Sequence, residues 1–190
     1  VGDHLTFITN DREIYYCDLR KYPKHINDCL KINRPSAPQP TTLYEKGHSP
    51  RIDMENEKRL VYNVHGKNIF VEVDLTNIEN PVYTEYEVEK NKETGGVWDI
   101  DMLRGNRAVY YETYIMSDGD IDSIACFYRF DKKKVYCPEE NIHPWTDENR
   151  MGYNTFWGKW HLWKVIGRPG AAMRDWECYC EESGVCPLEE

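Results

Sequence analysis

The chain has 190 residues, 40% of them hydrophobic and 13% aromatic, with a formal net charge of −9 from 24 basic and 33 acidic side chains. This length and aromatic content predict a folded domain with a real core and exclude a disordered chain. An acidic chain is repelled by phosphate backbones, so we expect no nucleic-acid partner. The sequence holds no run of about 18 apolar residues, so we expect no membrane insertion.

The cysteine content indicates an oxidising compartment. A chain of this size with seven cysteines is expected to carry disulfides, because cytosolic thiols are kept reduced. No C-x-x-C pair is present, which disfavours a thioredoxin-type redox site and most zinc ribbons. We therefore expect a secreted, extracellular protein. The odd number leaves one thiol free or able to bridge two chains into a dimer. The cysteines are Cys17, Cys29, Cys126, Cys137, Cys178, Cys180 and Cys186.

Alternation of apolar and polar residues with a period of two predicts β-strands joined by short turns along the chain. The first predicted hairpin pairs Leu5–Thr9 with Glu13–Leu19, and a local disulfide between Cys17 and Cys29 is plausible just after it. Residues 33–50 contain four prolines among Ser, Thr and Gln. This composition predicts an irregular, extended loop.

The middle of the chain predicts further strands with one buried face. Leu60, Tyr62 and Val64 form one face of a strand, and a return strand with one apolar face spans Ile69–Leu75. Residues 82–88 predict a half-exposed strand. Trp98, Ile100 and Met102 are then expected to share one face, with Asp99 and Asp101 on the other, before a turn into Ala108–Met116.

A fourth predicted hairpin positions two cysteines. Ile124–Phe130 and Lys133–Cys137 flank Asp131-Lys132, which we expect to form a tight turn. Counting back from that turn places Cys126 opposite Cys137. Directly opposed residues on paired strands are close enough for a disulfide, so we predict a cross-strand bridge here.

An acidic run lies between the strand predicted at Ala108–Met116 and the hairpin that begins at Ile124. Asp118, Asp120 and Asp122 alternate with other residues, as in the first half of a calcium-binding loop. The twelfth position counted from Asp118 is Arg129, however, where an EF-hand requires Glu. We therefore favour an exposed acidic turn, and calcium is the only cofactor that the pattern suggests.

The C-terminal part contains most of the tryptophans. Residues 138–158 are predicted to be irregular, with a helical turn near Pro144–Asn149. A fifth hairpin pairs Lys159–Ile166 with Met173–Cys180 around Gly167–Gly170, and residues 178–190 form a cysteine-rich tail.

The aromatic block is the strongest functional signal. Flat rings near hydrogen-bonding side chains suit sugars, and rings near carboxylates suit amines. Strand alternation places Trp160 and Trp163 on opposite faces, so a site must combine one of them with rings from the preceding loop. The other tryptophan then belongs to the core. The candidate ligand-binding residues are Trp145, Tyr153, Trp157, Trp160, His161 and Trp163.

These patterns predict an all-β fold, an antiparallel β-sandwich or barrel of about ten strands built from hairpins within a single domain over residues 1–190. A small β-propeller is the alternative, although unevenly spaced hairpin turns disfavour it. We expect a secreted non-enzymatic binding protein, effector-like or of the salivary type, whose aromatic surface engages a partner protein, a carbohydrate or a small ligand. The alternatives are a glycoside hydrolase using Asp99, Asp101 or Asp120, and a structural extracellular protein.

Overall fold

The computed structural model describes residues 2–32, 47–64, 67–90, 95–115, 119, 121–137, 149–154, 159–165 and 173–176. For the last three of these ranges it describes the backbone and its pairing. The regular structure in these ranges is extended, apart from two single turns of 3-10 helix at Leu19–Lys21 and Ile26–Asp28. The fold is therefore all-β, as the alternation predicts.

The strands form four antiparallel sheets, and in each sheet every strand pairs with the next one along the chain. Sheet I consists of β1 (His4–Ile8), β2 (Ile14–Asp18) and β3 (Leu30–Ile32). Sheet II consists of β4 (Gly47–Ile52), β5 (Arg59–Val64), β6 (Ile69–Asp74) and β7 (Val82–Glu87). Sheet III consists of β8 (Gly96–Arg104), β9 (Arg107–Ile115), β10 (Ile121–Arg129) and β11 (Lys134–Tyr136). Sheet IV consists of β12 (Asn149–Asn154), β13 (Lys159–Val165) and β14 (Met173–Trp176). None of these sheets closes into a barrel over the strands described.

The predicted register of the β10–β11 hairpin and both predicted disulfides are confirmed. Leu60 lies opposite Val73 in the β5–β6 pair. In the β10–β11 pair Phe127 lies opposite Tyr136, and the next positions outward carry the Cys126–Cys137 disulfide. A second disulfide joins Cys17 to Cys29. Alternation and turn position were sufficient here because a two-residue period leaves few registers that keep one face apolar.

Three strands lie where irregular chain was predicted or where no strand was expected. β4 begins at Gly47, inside the predicted loop 33–50, and β12 occupies residues 149–154 of the predicted irregular stretch. Asn149, predicted to end a helical turn, begins a strand, and residues 144–148 lie outside the described residues. β3 was also missed. β4 and β12 are first strands at a sheet edge, and β3 is a three-residue edge strand.

Sheet II lies between two hydrophobic cores. Leu60, Tyr62 and Val71 pack with Ile14 and Tyr16 of sheet I. The opposite face, through Val61 and Phe70, packs on sheet III. The sheet III residues of that second core are Val97, Ile100, Leu103, Ala108, Tyr110, Cys126, Tyr128 and the adjoining Phe130. Strand β5 is therefore buried on both faces, whereas its alternation predicted one face only.

Phe70 is the centre of the second core. Its ring meets Tyr110 and Tyr128 edge-on, with centroids 5.3 Å and 5.2 Å away. Edge-to-face contacts of this kind stabilise beyond the area that they bury. Burial raises the pKa of Tyr128 to about 12, so this phenol stays protonated within the core at ordinary pH.

A buried carboxylate joins sheet II to sheet III. Asp53 follows β4 with 1% of its surface exposed. It accepts hydrogen bonds from the Gly105 amide at 2.8 Å, the Glu55 amide at 2.9 Å and Arg59 Nη1 at 2.8 Å. Arg59 also donates to Glu72 at 2.7 Å and lies 4.7 Å from the Phe130 ring centroid. The charged groups of Asp53 and Arg59 are thus both paired and hydrogen-bonded, which is the condition under which buried charge is tolerated.

A second polar cluster attaches sheet I to the β4–β5 turn. His4 is 5% exposed; its Nδ1 lies 2.9 Å from Glu57 Oε2 and its Nε2 lies 3.1 Å from Arg20 Nη2. A guanidinium has no acceptor, so in this contact Arg20 donates to His4 Nε2. Arg20 also donates to Asp18 at 2.8 Å, which lowers the pKa of Asp18 to about 2.

Replacing Asp53 by Ala is expected to lower the free energy of unfolding by about 3 kcal/mol, because Arg59 and the Gly105 amide would stay buried without their acceptor. Urea unfolding of the wild type and of Asp53→Ala measures the difference. The matched control is Glu79→Ala, an exposed carboxylate, which should unfold at the wild-type midpoint. Equal midpoints for both variants would show that the Asp53 junction carries no stability.

The depressed pKa of Asp18 predicts an acid-dependent contribution to stability. Since the pKa is lower in the folded chain than the ordinary value of 3.8, the contribution is complete above that value and is lost as pH falls toward 2. Asp18→Asn should therefore destabilise the protein at pH 6 and have a smaller effect at pH 2.5. A thermal-unfolding series across this range tests it, and a pH-independent difference would contradict it.

Candidate functional site at strands β4 and β8

The residues of the predicted aromatic site fall in the part of the chain described least. Trp145 and Trp157 lie outside the described residues. Tyr153 lies in β12, directly opposite Trp160 of β13 in register, and His161 lies opposite Gly152. Trp163 lies opposite Arg150 and Asp175. A site that uses one tryptophan of β13 needs a ring from another segment, and Tyr153 of β12 is in a position to supply it. That these residues form a binding site stays a prediction.

The predicted calcium loop and the C-terminal cysteines are also largely outside the described residues. Asp118 and Asp120 are not described, and Asp122 lies in β10 opposite Tyr114. The acidic run thus spans a β9–β10 hairpin connection, which fits the acidic-turn interpretation, and calcium binding stays a prediction. Cys178, Cys180 and Cys186 lie outside the described residues.

Strand β4 contains a β-bulge next to sheet III. His48 lies opposite Asn63 and Arg51 opposite Val61, so Ser49 and Pro50 both face the single residue Tyr62. Pro50 has no amide hydrogen to donate, which explains why the ladder breaks here. Ser49 has a φ of 47°, a left-handed conformation that is disfavoured for a residue before proline. Bulges of this kind re-aim side chains and often adjoin functional sites.

Strand β8 contains two bulges of its own. Trp98 is inserted between the Val97–Glu112 and Asp99–Tyr111 pairs, and Asp101 is inserted between the pairs that follow. The buried positions of β8 therefore recur every third residue, at Val97, Ile100 and Leu103. The predicted alternation of Trp98, Ile100 and Met102 against Asp99 and Asp101 is wrong, because each inserted residue moves the following side chains to the opposite face.

The bulged strands β4 and β8 are joined by polar contacts. Arg51 Nε donates to the Asp101 carbonyl at 2.9 Å, and Arg51 Nη2 lies 4.0 Å from Asp99 Oδ1. Asn63 Nδ2 donates to the Trp98 carbonyl at 3.1 Å. The rings of His48 and Trp98 lie 6.4 Å apart and tilted. We call the group His48, Ser49, Arg51, Asn63, Trp98 and Asp99 the β4–β8 site.

The β4–β8 site combines an accessible ring with buried hydrogen-bonding groups. The Trp98 side chain is 40% exposed although its neighbours Val97 and Ile100 are buried. Asn63 is fully buried, and its Oδ1 has no hydrogen-bond partner among the described residues; the same holds for Asp99 Oδ1. A buried acceptor without a donor costs about 1–3 kcal/mol, so such atoms mark places where water or a ligand supplies the hydrogen bond.

The serine and histidine of this site are close but do not by themselves form a catalytic pair. Ser49 Oγ lies 2.5 Å from His48 Nδ1. Because the two residues are adjacent in sequence, this contact is local. The nearest acidic group in the site, Asp99, faces Arg51, which suits ion pairing rather than orientation of a catalytic imidazole. The arrangement therefore fits recognition better than nucleophilic catalysis.

The β4–β8 site is not among the sites predicted from the sequence, although the sequence contains two signals for it. Ser49 and Pro50 lie at the end of residues 33–50, which are predicted to form an irregular loop. Gly95 and Gly96 precede Trp98. Both are typical of bulges and strand interruptions. A tryptophan just after such an interruption was the available clue.

Comparisons of the chain with protein-family models, with curated proteins and with solved structures find no match. In the part of the chain that the structure describes, no helix is long and apolar enough to cross a membrane.

The left-handed backbone at Ser49 predicts an unusual order of stability between two variants. Ser49→Gly and Ser49→Ala both remove the hydroxyl, so the difference between them isolates the backbone. We expect Ser49→Gly to be more stable than Ser49→Ala by about 1 kcal/mol, because only glycine adopts positive φ without cost. Chemical denaturation of the two proteins measures the difference. Alanine as stable as glycine would rule out strain at this position.

Proposed function

We propose that the chain is a secreted, disulfide-bonded, non-enzymatic binding protein that recognises a carbohydrate at the β4–β8 site. The observation that carries this proposal is the Trp98 ring, which a bulge turns outward from a buried strand. A flat apolar ring stacks on the apolar face of a sugar, while nearby hydroxyl, amide and carboxylate groups bind its hydroxyls.

The charges around Trp98 favour a neutral ligand over a cation. An amine would need carboxylates that are not already neutralised. Asp99, the carboxylate next to the ring in the chain, faces the Arg51 guanidinium, with Arg51 Nη2 4.0 Å from Asp99 Oδ1. The remaining groups, Ser49 and Asn63, are uncharged hydrogen-bonding side chains that suit sugar hydroxyls.

The sheet arrangement that best accounts for this site is a small β-propeller in which each sheet is one blade. Sheet II is buried on both faces, and the first strands of successive sheets contact each other, β1 with β4 and β4 with β8. In a sandwich, by contrast, each sheet has one outer face. Tyr16, Tyr62 and Tyr110 are buried in the second strands of sheets I to III and are roughly 47 residues apart, a spacing typical of propeller blades.

The uneven hairpin turns are compatible with this arrangement, because the repeating unit is the whole sheet rather than the hairpin. First strands begin at His4, Gly47, Gly96 and Asn149. On the face of sheet III opposite Phe70, Val109 and Phe127 are also buried, as expected if another blade covers them. First strands would line the central channel, where propellers commonly bind ligands.

The aromatic block would extend the same binding surface. In a propeller, β12 is the first strand of the blade after sheet III, so Tyr153 would lie along the channel that β8 lines. The opposed positions of Tyr153 and Trp160 in β12 and β13 support a second pair of rings in that proposed blade. This part of the proposal predicts that a glycan long enough to reach both blades binds more tightly than a monosaccharide.

The proposal is tested with a glycan array followed by calorimetry on the best ligand. Trp98→Ala is expected to weaken binding by about 2 kcal/mol, or about 30-fold, since an aromatic anchor is lost. Tyr22→Ala is the matched control, because Tyr22 is an aromatic residue 83% exposed outside the site. Its affinity should equal that of the wild type, and circular dichroism should show both variants folded.

Two outcomes would contradict the proposal. Binding that survives in a folded Trp98→Ala but is lost in Trp160→Ala would move the site to sheet IV. An array with no bound glycan would favour the structural-protein alternative. The glycoside hydrolase alternative predicts turnover of chromogenic glycosides that Asp99→Asn abolishes.

A further inference from the structure

We propose that Glu112, Cys126 and Cys137 form a zinc site when the Cys126–Cys137 disulfide is reduced. This inference concerns the interior of sheet III and is independent of the binding function proposed above. It adds a second state to a disulfide that the sequence predicts only as a structural bridge.

The fold brings the three side chains together. Tyr110 and Glu112 are two residues apart on β9 and share a face, and Cys126 lies opposite Tyr110 on β10. The β10–β11 hairpin returns Cys137 to Cys126. One carboxylate oxygen and the two sulfurs all lie within 4.8 Å of one another. Cys126 and Glu112 are 0% and 1% exposed and Cys137 is half-buried, so two of the three ligands are enclosed.

The donor set and its spacing suit zinc. Ligand atoms around a tetrahedral zinc with thiolate and carboxylate donors are about 3.5–4 Å apart. In the disulfide the two sulfurs are 2.00 Å apart, and the carboxylate oxygen lies within 4.8 Å of both. Opening the S–S bond lets the sulfurs separate to the spacing that zinc requires. Two thiolates with one carboxylate select zinc over calcium or magnesium, which prefer oxygen ligands only.

A second observation points to an additional group at this cluster. The Tyr110 hydroxyl is buried and has no hydrogen-bond partner among the described residues, and Tyr110 shares its sheet face with Glu112 and Cys126. A water or hydroxide in the fourth coordination position would accept from this phenol. Three protein ligands with an open fourth position are also a usual zinc arrangement.

The redox step balances with a dithiol reductant. The dithiol gives two electrons and two protons to the Cys126–Cys137 bond, which breaks into two thiols while the dithiol becomes a disulfide. Zinc then binds both sulfurs, and their protons leave to solvent. In an oxidising compartment the disulfide persists, whereas in a reducing one zinc would hold the same strands together.

The chain contains a matched control for this site. Cys17 and Cys29 form a disulfide of nearly the same sequence separation, 12 residues against 11, and no such carboxylate group accompanies it among the described residues. The background protein for the test carries Cys178, Cys180 and Cys186 replaced by serine, so that the two disulfide pairs supply its only thiols.

The experiment is anaerobic Co²⁺ titration of the reduced full chain, followed by displacement with Zn²⁺. We expect sulfur-to-cobalt charge-transfer absorption that saturates at one equivalent, and a higher thermal midpoint with zinc. Glu112→Gln should weaken binding at least about tenfold, as expected for the loss of a zinc ligand. Cys126→Ser with Cys137→Ser should abolish it, and Cys17→Ser with Cys29→Ser should leave it unchanged.

Three results would overturn the proposal. These are a folded reduced chain without cobalt absorption, absorption that persists in the Cys126→Ser, Cys137→Ser protein, and affinity unchanged in Glu112→Gln. If the reduced chain unfolds, zinc should restore its β-sheet circular dichroism, and failure to do so would equally reject the site.

Discussion

Burial of sheet II on both faces is the constraint on which the rest of the structure depends. A strand with one solvent-exposed face needs apolar residues at alternate positions only, but β5 has no solvent-exposed face. Sheets I and III must therefore pack on opposite sides of sheet II, which brings the edge strands β4 and β8 together. The contact between those edges creates both the polar junction at Asp53 and the exposed ring of Trp98.

Polar groups at this contact fall into two classes with different consequences. Asp53 accepts three hydrogen bonds from named donors and is neutralised by Arg59, so its burial is compatible with stability. Asn63 Oδ1 has no such donor among the described residues. Natural proteins satisfy nearly all buried polar atoms, so a remaining exception beside a bulge is more informative about ligand binding than the satisfied network.

The two disulfides are similar in the chain but different in their surroundings. The Cys17–Cys29 bridge joins buried Cys17 of β2 to half-buried Cys29 before β3. The Cys126–Cys137 bridge likewise joins a buried cysteine to a half-buried one after β11, but it lies beside a buried carboxylate. Sequence spacing alone makes them equivalent loop closures. Only the neighbours contributed by β9 distinguish them.

Sequence by itself determined the strand character of the chain, the register of the β10–β11 hairpin and both disulfide pairs, because these depend on residues close together in the chain and on a period of two. It did not determine β4, the bulges at Ser49 and Trp98, or the full burial of β5. Those features depend on which sheet packs against which face, and contacts between sheets carry no local periodic signal. Asp99 and Asp101 illustrate the limit: two inserted residues changed their faces, and only the neighbouring strand explains why those insertions are accommodated. The candidate site was decided by tertiary structure for the same reason, since its residues come from three strands of two sheets.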